Sequence, residues 1–293
     1  MDIPVIDFRG DNCVSEMDTA FKSVGFAVFT NVHTEYQSDF DIWENMVTQF
    51  FDLPSDIKVK YAYSGVDKNL GYSDLKTEWL HPDRPGDLKE AYNWKAPYDM
   101  ENQYWPTEIP TFRTQAEKME RIMRVISFQF MEKFEIALGL KKGFLVEKHL
   151  YGTTTARIIK YPEYTGPVES QQLRGNEHTD YDSFTLLWRY QDCGGLFAQN
   201  RDEEWKEVPV IKDSVVCNIA DMFQRWTNDV YVSTPHRVMN VLDHTRYSMP
   251  YFVGPNKDTI VRNLTNQPDK YEPISSYEYL LWRLGESYIY KDN

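Results

Sequence analysis

The stretch Gly175-Asn-Glu-His-Thr-Asp-Tyr-Asp-Ser-Phe-Thr-Leu-Leu187 decides the fold, because polar side chains able to bind a metal lead directly into an apolar, strand-like run. In an extended segment, side chains two residues apart point to the same side, roughly 7 Å apart along the strand. His178 and Asp180 can therefore converge on one ion. One imidazole and one carboxylate do not complete a site, so a third ligand is expected elsewhere in the chain.

His236 is the candidate third ligand, because the polar loop Ser233-Thr-Pro-His-Arg-Val238 gives way there to another strand-like run. Two histidines and one carboxylate on one face of a metal are typical of non-haem Fe(II) oxygenases, since this set leaves positions for a cosubstrate and O2. The sequence therefore predicts a mononuclear metal site formed by His178, Asp180 and His236.

Arg246 and Ser248 follow the third ligand and alternate onto one face of a predicted strand. A guanidinium fork beside a hydroxyl is suited to binding a carboxylate. A surface ion pair is the alternative role for Arg246. The segment from Arg246 to Val253 is too apolar for a fully solvated strand, so a partner anion is expected.

These motifs resemble the isopenicillin N synthase-like family of Fe(II)/2-oxoglutarate-dependent dioxygenases. The resemblance is carried by His178-Thr-Asp180, by the block around His236 and by Arg246-Tyr-Ser248. Further matches occur in the family's order from Ile3 to Asn256 and cover most of the chain. They are Ile3-Pro-Val-Ile-Asp-Phe8, Gly25-Phe26, Phe51-Asp-Leu-Pro54, Gly71-Tyr72, Lys89-Glu90, Tyr161-Pro162, Thr185-Leu-Leu187, Gly194-Gly-Leu196 and Asn218-Ile-Ala-Asp-Met-Phe-Gln-Arg-Trp-Thr-Asn228.

The resemblance implies an α+β fold with a mainly β core, a cupin-like double-stranded β-helix (jelly roll) flanked by helices, with an N-terminal α/β region. It implies Fe(II), 2-oxoglutarate as cosubstrate and O2, with ascorbate as a candidate reductant. The distal carboxylate of 2-oxoglutarate would pair with Arg246 and Ser248, and Tyr161 would donate a hydrogen bond to the same cosubstrate. No catalytic residue beyond the metal ligands is implied.

The implied reaction oxidises an unactivated C–H bond of a small-molecule metabolite, with release of succinate and CO2. Hydroxylation, desaturation and oxidative cyclisation all remain open, as does the identity of the substrate. An alternative within the fold is an Fe(II)/O2 oxidase that does not use 2-oxoglutarate, as in isopenicillin N synthase, or one that relies on ascorbate. A non-catalytic jelly roll that binds a ligand or a structural metal is the alternative from another class, but a closed zinc site would need a fourth protein ligand.

Composition narrows the function classes. A net charge of −13 and a pI near 5.0 argue against nucleic acid and anionic membrane surfaces as partners, because both require clustered Lys and Arg. Cys13, Cys193 and Cys217 form no CxxC pair, which indicates a reducing compartment. No apolar run approaches the roughly 18 residues of a membrane span, and no signal-peptide pattern is present. We expect a cytoplasmic enzyme with a small-molecule substrate and no obligate protein partner.

We expect one catalytic unit over residues 1–293. Residues 1–110 would form the N-terminal dioxygenase region with substrate-facing loops, and 111–150 a long packing helix. Residues 151–256 would form the jelly-roll core and 257–293 a C-terminal helix. Helical spacing of apolar residues predicts helices over Asp39–Phe51, Glu117–Leu138 and Ser275–Tyr290. Strands are predicted over Thr154–Tyr161, Phe184–Tyr190, Gly195–Gln199, Trp205–Val210, Val215–Ala220, Arg237–Leu242 and Arg246–Val253.

Residues 61–110 lack a sustained helical or strand periodicity of apolar residues, which is typical of binding loops and lids. The expected substrate wall there consists of Tyr72, Trp79, Lys89, Glu90, Tyr92 and Trp94. The alternative is that the Tyr and Trp side chains only anchor the loops to the barrel. Asp182 is a further candidate because the family often has Gly at this place. Arg189 and Arg225 are also candidates, with solvated or structural roles as the alternative.

Overall fold

Two facing β-sheets, one of them backed by helices, form the core of the computed structural model. The model describes residues 2–65, 68–80, 84–99, 104–190, 194–240 and 243–287. The described helices are α1 (Cys13–Ser23), α2 (Gln37–Phe51), α3 (Ser55–Lys58), α4 (Phe112–Ala137), α5 (Phe144–His149), α6 (Asp221–Trp226) and α7 (Ser276–Ser287). None of them is long and apolar enough to cross a bilayer.

The strands form a larger sheet, a smaller sheet and a separate two-stranded sheet. They are β1 (Val5–Asp7), β2 (Phe26–Thr30), β3 (Gly71–Ser73), β4 (Glu90–Trp94), β5 (Thr155–Tyr161), β6 (Gly175–His178), β7 (Phe184–Tyr190), β8 (Leu196–Gln199), β9 (Trp205–Glu207), β10 (Val215–Ile219), β11 (His236–Val238), β12 (Arg246–Val253), β13 (Ile260–Val261) and β14 (Ile274–Ser275). The larger sheet has the order β1-β2-β10-β7-β12-β5-β4-β3 and the smaller one β6-β11-β8-β9. This arrangement confirms the predicted double-stranded β-helix.

The larger sheet buries both faces, and the two faces have different partners. One face packs on α1, α2 and α4 through a large aromatic cluster, in which the Phe134 and Phe184 rings lie 5.2 Å apart. The other face turns toward the smaller sheet and contributes Val216 and Ile159 to a second cluster with Leu196. Because strand side chains alternate between faces, each position of β4, β5 and β12 is assigned to the helices or to the interior between the sheets.

The predicted helices and most predicted strands are present with shifted ends. The helix predicted from Glu117 begins earlier, because α4 runs over Phe112–Ala137. Residues 61–110 are less irregular than expected, since β3 and β4 extend the larger sheet from this region. The predicted strand end at Leu242, the helix end at Tyr290 and Cys193 lie outside the described residues, whereas Cys13 and Cys217 are buried thiols.

His149 at the end of α5 couples stability to pH. Its Nδ1 lies 2.7 Å from the Leu145 carbonyl and its Nε2 2.9 Å from the Ser183 hydroxyl, so the neutral ring donates to the first and accepts from the second. Burial lowers the pKa of His149 to about 4 from an ordinary 6.5. The unfolded chain therefore binds this proton more tightly, and stability is lost as pH falls from about 6.5 toward 4.

We expect His149→Gln to remove most of that acid sensitivity. The shift corresponds to about 3 kcal/mol of unfolding free energy between pH 7 and pH 4. The variant should be less stable at pH 7 but lose about 3 kcal/mol less than the parent protein on acidification, as measured by urea unfolding of metal-free samples. Parallel pH curves for the two proteins would show that His149 does not carry the effect.

Candidate metal centre and substrate cavity

The three predicted metal ligands converge in the structure. His178 ends β6, His236 begins β11, and the two residues are directly paired across these antiparallel strands. Asp180 follows β6 and is buried, with Oδ1 3.8 Å from His178 Nε2 and 3.7 Å from His236 Nε2. One ligand atom from each residue lies within 4.8 Å of the other two. The spacing suits a single ion held between them.

Backbone carbonyls fix both imidazoles. His178 Nδ1 lies 2.7 Å from the carbonyl of Asn176, and His236 Nδ1 lies 3.1 Å from the carbonyl of Thr234. A carbonyl can only accept, so each Nδ1 carries the proton and each Nε2 presents its lone pair to the centre. Such outer contacts orient metal-ligating histidines.

Asp180 is held so that one carboxylate oxygen stays available. Its Oδ2 accepts hydrogen bonds from Thr185 Oγ1 at 2.5 Å and from Asn218 Nδ2 at 2.8 Å. These donors come from β7 and β10, two neighbouring interior strands of the larger sheet. Oδ1 is left facing the two Nε2 atoms, so the sheet fixes the orientation of the third ligand.

The local electrostatics favour the protonation states that bind a metal. Burial and the neighbouring His236 lower the pKa of His178, which keeps this imidazole neutral. Burial alone would raise the pKa of Asp180, but His236, His178 and the bonds from Asn218 and Thr185 outweigh it and lower that pKa. Two neutral imidazoles and one carboxylate form a donor set that fits Fe(II) and leaves other coordination positions open.

We expect Thr185→Val to weaken Fe(II) binding by roughly 10- to 100-fold, as is usual when the outer support of a metal ligand is removed. The substitution keeps the side-chain shape but deletes one of the two donors to Asp180 Oδ2. Anaerobic equilibrium dialysis with Fe(II) measures the change. Ser127→Ala, which removes a buried hydroxyl bonded within α4, is the control and should bind Fe(II) as the parent does.

The predicted cosubstrate residues share one corner of the interior between the sheets. Arg246 and Ser248 are each 2% exposed and lie on the same face of β12. Tyr161 of β5 pairs directly with Arg246, whose guanidinium lies 4.7 Å from the Tyr161 ring centre. Arg246 also donates to the carbonyl of Gly194. The structure thus brings a buried cation, a hydroxyl and a phenol together.

Arg189 adds a second, half-buried cation to this corner. It lies opposite Ser248 across β7 and β12, and it donates to the carbonyls of Val208 at 3.3 Å and Pro209 at 2.5 Å. Burial and the positive charge of Arg246 lower the pKa of Arg189 to about 10. Two guanidinium groups that repel each other in a buried corner favour the binding of an anion there.

A cavity opens on the other side of the triad. It is lined by His178, Asp180, the neighbouring Thr179, Tyr181 and Asp182, polar residues of the larger sheet and its loops, and apolar residues of α7. The remaining lining residues are Asn69, Glu78, Trp79, Leu80, Asn93, Lys95, Thr153, Thr155, Arg157, Phe252, Tyr277, Leu280, Leu281 and Leu284. The metal centre is therefore open to a small molecule on this side.

Two of the proposed substrate residues line this cavity. Trp79, which is 44% exposed, and the buried Asp182 both do so. Lys89 lies beneath it and forms ion pairs with Asp87 at 2.8 Å and Glu78 at 3.5 Å. Lys89 is therefore not a lining residue, although its partner Glu78 is one.

Four other substrate assignments in residues 61–110 need correction. Glu90, Tyr92 and Trp94 occupy alternate positions of β4 that face the helices. The Trp94 indole donates to the carbonyl of Ala116 in α4 at 3.0 Å, and Glu90 pairs with Lys58 and accepts a 2.6 Å hydrogen bond from Tyr72. These four side chains anchor the sheet to its helices and do not line the cavity. The lining residues from this strand and its end, Asn93 and Lys95, were missed.

The two proposed arginines also lie outside the cavity. Arg189 is in the corner with Arg246, as described above. Arg225 of α6 stacks 4.7 Å from the Tyr271 ring centre and donates to the carbonyl of Glu272 at 2.5 Å. Arg225 therefore has a structural role, which is the alternative that the sequence left open.

The C-terminal helix forms one wall of the cavity. Tyr277, Leu280, Leu281 and Leu284 of α7 form its apolar wall. Arg283 ties the helix to the metal-binding segment by pairing with Asp221, which also accepts a 3.0 Å hydrogen bond from Thr179. The sequence predicted this helix but not its contribution to the site.

Comparisons with known proteins agree with this geometry. A model of the 2OG-Fe(II) oxygenase superfamily matches residues 153–255, which include the triad, Arg246 and Ser248. A second model, the N-terminal region of non-haem dioxygenases in morphine synthesis, matches residues 3–112. The two matches follow each other in the chain as the N-terminal region and the core.

Individual relatives resemble the chain over nearly its whole length. UPF0676 protein C1494.01 of Schizosaccharomyces pombe is 29% identical over 99% of this chain and 94% of its own length. The 2-oxoglutarate-dependent dioxygenase caaD of Aspergillus niger is 26% identical over 86% of this chain and 84% of its own. A full-length Neurospora crassa protein solved with alpha-KG and thymine superposes with a TM-score of 0.86 at 26% identity, covering 98% of this chain and 97% of that one.

Proposed function

We propose, since the chain belongs to the Fe(II)/2-oxoglutarate-dependent dioxygenases, that His178, Asp180 and His236 hold its iron. The protein is an Fe(II)- and 2-oxoglutarate-dependent oxygenase of a small molecule. The observation that carries the assignment of the ligands is the convergence of one Oδ1 and two Nε2 atoms within 4.8 Å. Their other polar atoms are already engaged by the protein, so these three remain for the metal.

Arg246 and Ser248 are proposed to receive the distal carboxylate of 2-oxoglutarate, with Tyr161 donating a further hydrogen bond. The burial of this cation and its repulsion of Arg189 support an anion in this corner. Arg189 is held in place by its hydrogen bonds to two backbone carbonyls, so it contributes positive charge to the corner without contacting the carboxylate directly. When bound, Fe(II) and 2-oxoglutarate supply the oxidising power by reducing O2 as the 2-oxo acid is converted to succinate and CO2.

The chain's own contribution is orientation and exclusion of water. Thr185 and Asn218 hold Asp180 in one rotamer, while backbone carbonyls hold the two imidazoles in one tautomer. One face of β12 contributes to both the cosubstrate corner and the cavity wall. Arg246, Ser248 and Phe252 all lie on this face, because every second residue of a strand points to the same side. The leucines of α7 cover the cavity and shield the reacting centre from solvent.

An Fe(II)/O2 oxidase that does not use 2-oxoglutarate is the less favoured function. The similar Neurospora crassa protein binds alpha-KG, and the similar Aspergillus niger protein is a 2-oxoglutarate-dependent dioxygenase. The buried corner at Arg246 provides this chain with a corresponding carboxylate site.

Succinate formation tests the proposal. The metal-free protein is reconstituted anaerobically with Fe(II), because Ni, Cu and Zn bind such donors more tightly. It is then mixed with 2-oxoglutarate and air. We expect slow formation of succinate that requires both Fe(II) and O2, with acceleration by a true substrate. O2 consumption with Fe(II) and a substrate but without 2-oxoglutarate would support the oxidase instead.

A further inference from the structure

Asp182 places a buried carboxylate in the wall of the substrate cavity, two residues after the metal ligand Asp180. We infer that this carboxylate binds a cationic nitrogen of the substrate, in an ammonium, amidinium or guanidinium group. The inference rests on the proposed function, because it takes the cavity beside the triad as the substrate site. It narrows the substrate class from small molecules in general to those that carry a positive charge.

The side-chain carboxylate of Asp182 has no hydrogen-bond or ion-pair partner among the described residues. Asp182 is 6% exposed, and neither carboxylate oxygen accepts a hydrogen bond or forms an ion pair there. A buried carboxylate without donors is costly, and such groups in native structures usually have an ordered or functional partner. Because Asp182 lines the cavity, a bound molecule can supply that partner.

The other charged groups of the cavity wall are already paired. Arg157 pairs with Glu78, which also interacts with Lys89 at 3.5 Å. Together they lower the pKa of Glu78 to about 2 against the opposing effect of burial, so Glu78 stays ionised within this cluster.

Lys95 is the remaining cation of the wall, and it lies 3.3 Å from Asp99. Asp180 belongs to the metal centre. Asp182 is therefore the charged group of the described wall that forms no ion pair. Lys95 acts on it only at a distance, because its ammonium is paired with Asp99, so a bound cation complements the Asp182 carboxylate.

The backbone makes room for this carboxylate. A Cβ added to Gly254 would lie 2.6 Å from Asp182 Oδ1 and 2.4 Å from Thr153 Oγ1. Any larger residue at position 254 would push the carboxylate or the hydroxyl aside. Gly254 thus provides a second way to disturb Asp182 without changing its chemistry.

A matched pair of probes tests the inference. Phenylguanidinium and phenylurea have nearly the same shape, but only the first is charged, and neither is a good iron ligand. Each is titrated calorimetrically into anaerobic protein with Fe(II) and 2-oxoglutarate, and into metal-free protein, at about pH 8, where a carboxylate is ionised. The visible band of the iron chelate is recorded in the same samples and reports on the proposed function separately.

We expect phenylguanidinium to bind the parent protein roughly 10- to 100-fold more tightly than phenylurea, the usual range for a hydrogen bond to a charged group. Asp182→Asn should abolish this preference, and Gly254→Ala should reduce it, with the chelate band retained in both. Thr155→Val removes an uncharged hydroxyl from the same wall and should leave the preference unchanged.

Three results would overturn the inference: no binding of phenylguanidinium to the parent protein, equal binding of the two probes, or a preference that survives in Asp182→Asn. If the chelate band is present, any of these three results rules out a cationic substrate and leaves the proposed oxygenase function in place. If the band is absent, the oxygenase function fails, and the titrations of metal-free protein still decide whether Asp182 binds the cation.

Discussion

Asp180→Ala is expected to abolish 2-oxoglutarate turnover while the fold is retained. The substitution removes the carboxylate oxygen that faces both Nε2 atoms, leaving two imidazoles as the only protein ligands of the triad. The loss of a direct ligand should exceed the roughly 100-fold effect of losing outer support. Succinate release with Fe(II), 2-oxoglutarate and O2 measures activity, and circular dichroism reports the fold.

The control for this variant is Asp18→Ala. Asp18 is also a partly buried carboxylate with two partners, Lys22 and the Tyr231 hydroxyl, but it lies on α1 at the outer helical layer. Activity should stay near that of the parent protein. Full turnover in Asp180→Ala would end the assignment of the triad, and His178→Ala should behave in the same way as Asp180→Ala.

Arg246→Ala is expected to raise the KM for 2-oxoglutarate steeply and to change the KM for the substrate much less. Truncation of one partner in a buried charge pair typically costs about 2 to 5 kcal/mol, so the KM for 2-oxoglutarate should rise by roughly 30-fold or more. Arg246→Lys should recover part of the loss, since the charge remains but the planar fork is gone.

Arg225→Ala serves as the matched control, because this arginine stacks on Tyr271 outside the cavity. Its KM for 2-oxoglutarate should remain close to the parent value. If Arg246→Ala raised the KM values of 2-oxoglutarate and of the substrate equally, Arg246 would have a general structural role instead of a role in cosubstrate binding.

Two of the three proposed metal ligands could be placed together from the sequence alone, because their relative position depends on a short-range rule. Two residues apart on an extended segment, His178 and Asp180 face the same way whatever the rest of the fold does. The position of His236 beside them depends on the pairing of β6 with β11, and the family resemblance provided that information. The same motifs contain Thr185 and Asn218, but their bonds to Asp180 Oδ2 became visible only in the folded sheet.

The substrate wall could be predicted only in part. Tyr92 and Trp94 were expected to face the substrate because the segment lacked a helical period, yet β4 makes it a strand with alternating faces. The alternation of large aromatics with Ala91 and Asn93 was the available signal for that strand. The same alternation along β12 places Phe252 on the face that carries Arg246 and Ser248.

The contribution of α7 could not be derived from local pattern. Leu280, Leu281 and Leu284 predict an apolar helix face, but their position over the cavity depends on long-range contacts. The Arg283–Asp221 pair fixes that position, and its two residues lie far apart in the sequence. No spacing rule links them, so only the folded chain identifies the helix as a wall of the site.

Anaerobic absorption spectroscopy tests the central claim most directly. The metal-free protein is titrated with Fe(II) and then with 2-oxoglutarate, and the weak visible charge-transfer band of the iron chelate is recorded. We predict a saturable band that is lost in Asp180→Ala and displaced to much higher 2-oxoglutarate concentrations in Arg246→Ala. Binding of Fe(II) without any band at saturating 2-oxoglutarate would contradict the account and leave the Fe(II)/O2 oxidase as the better function.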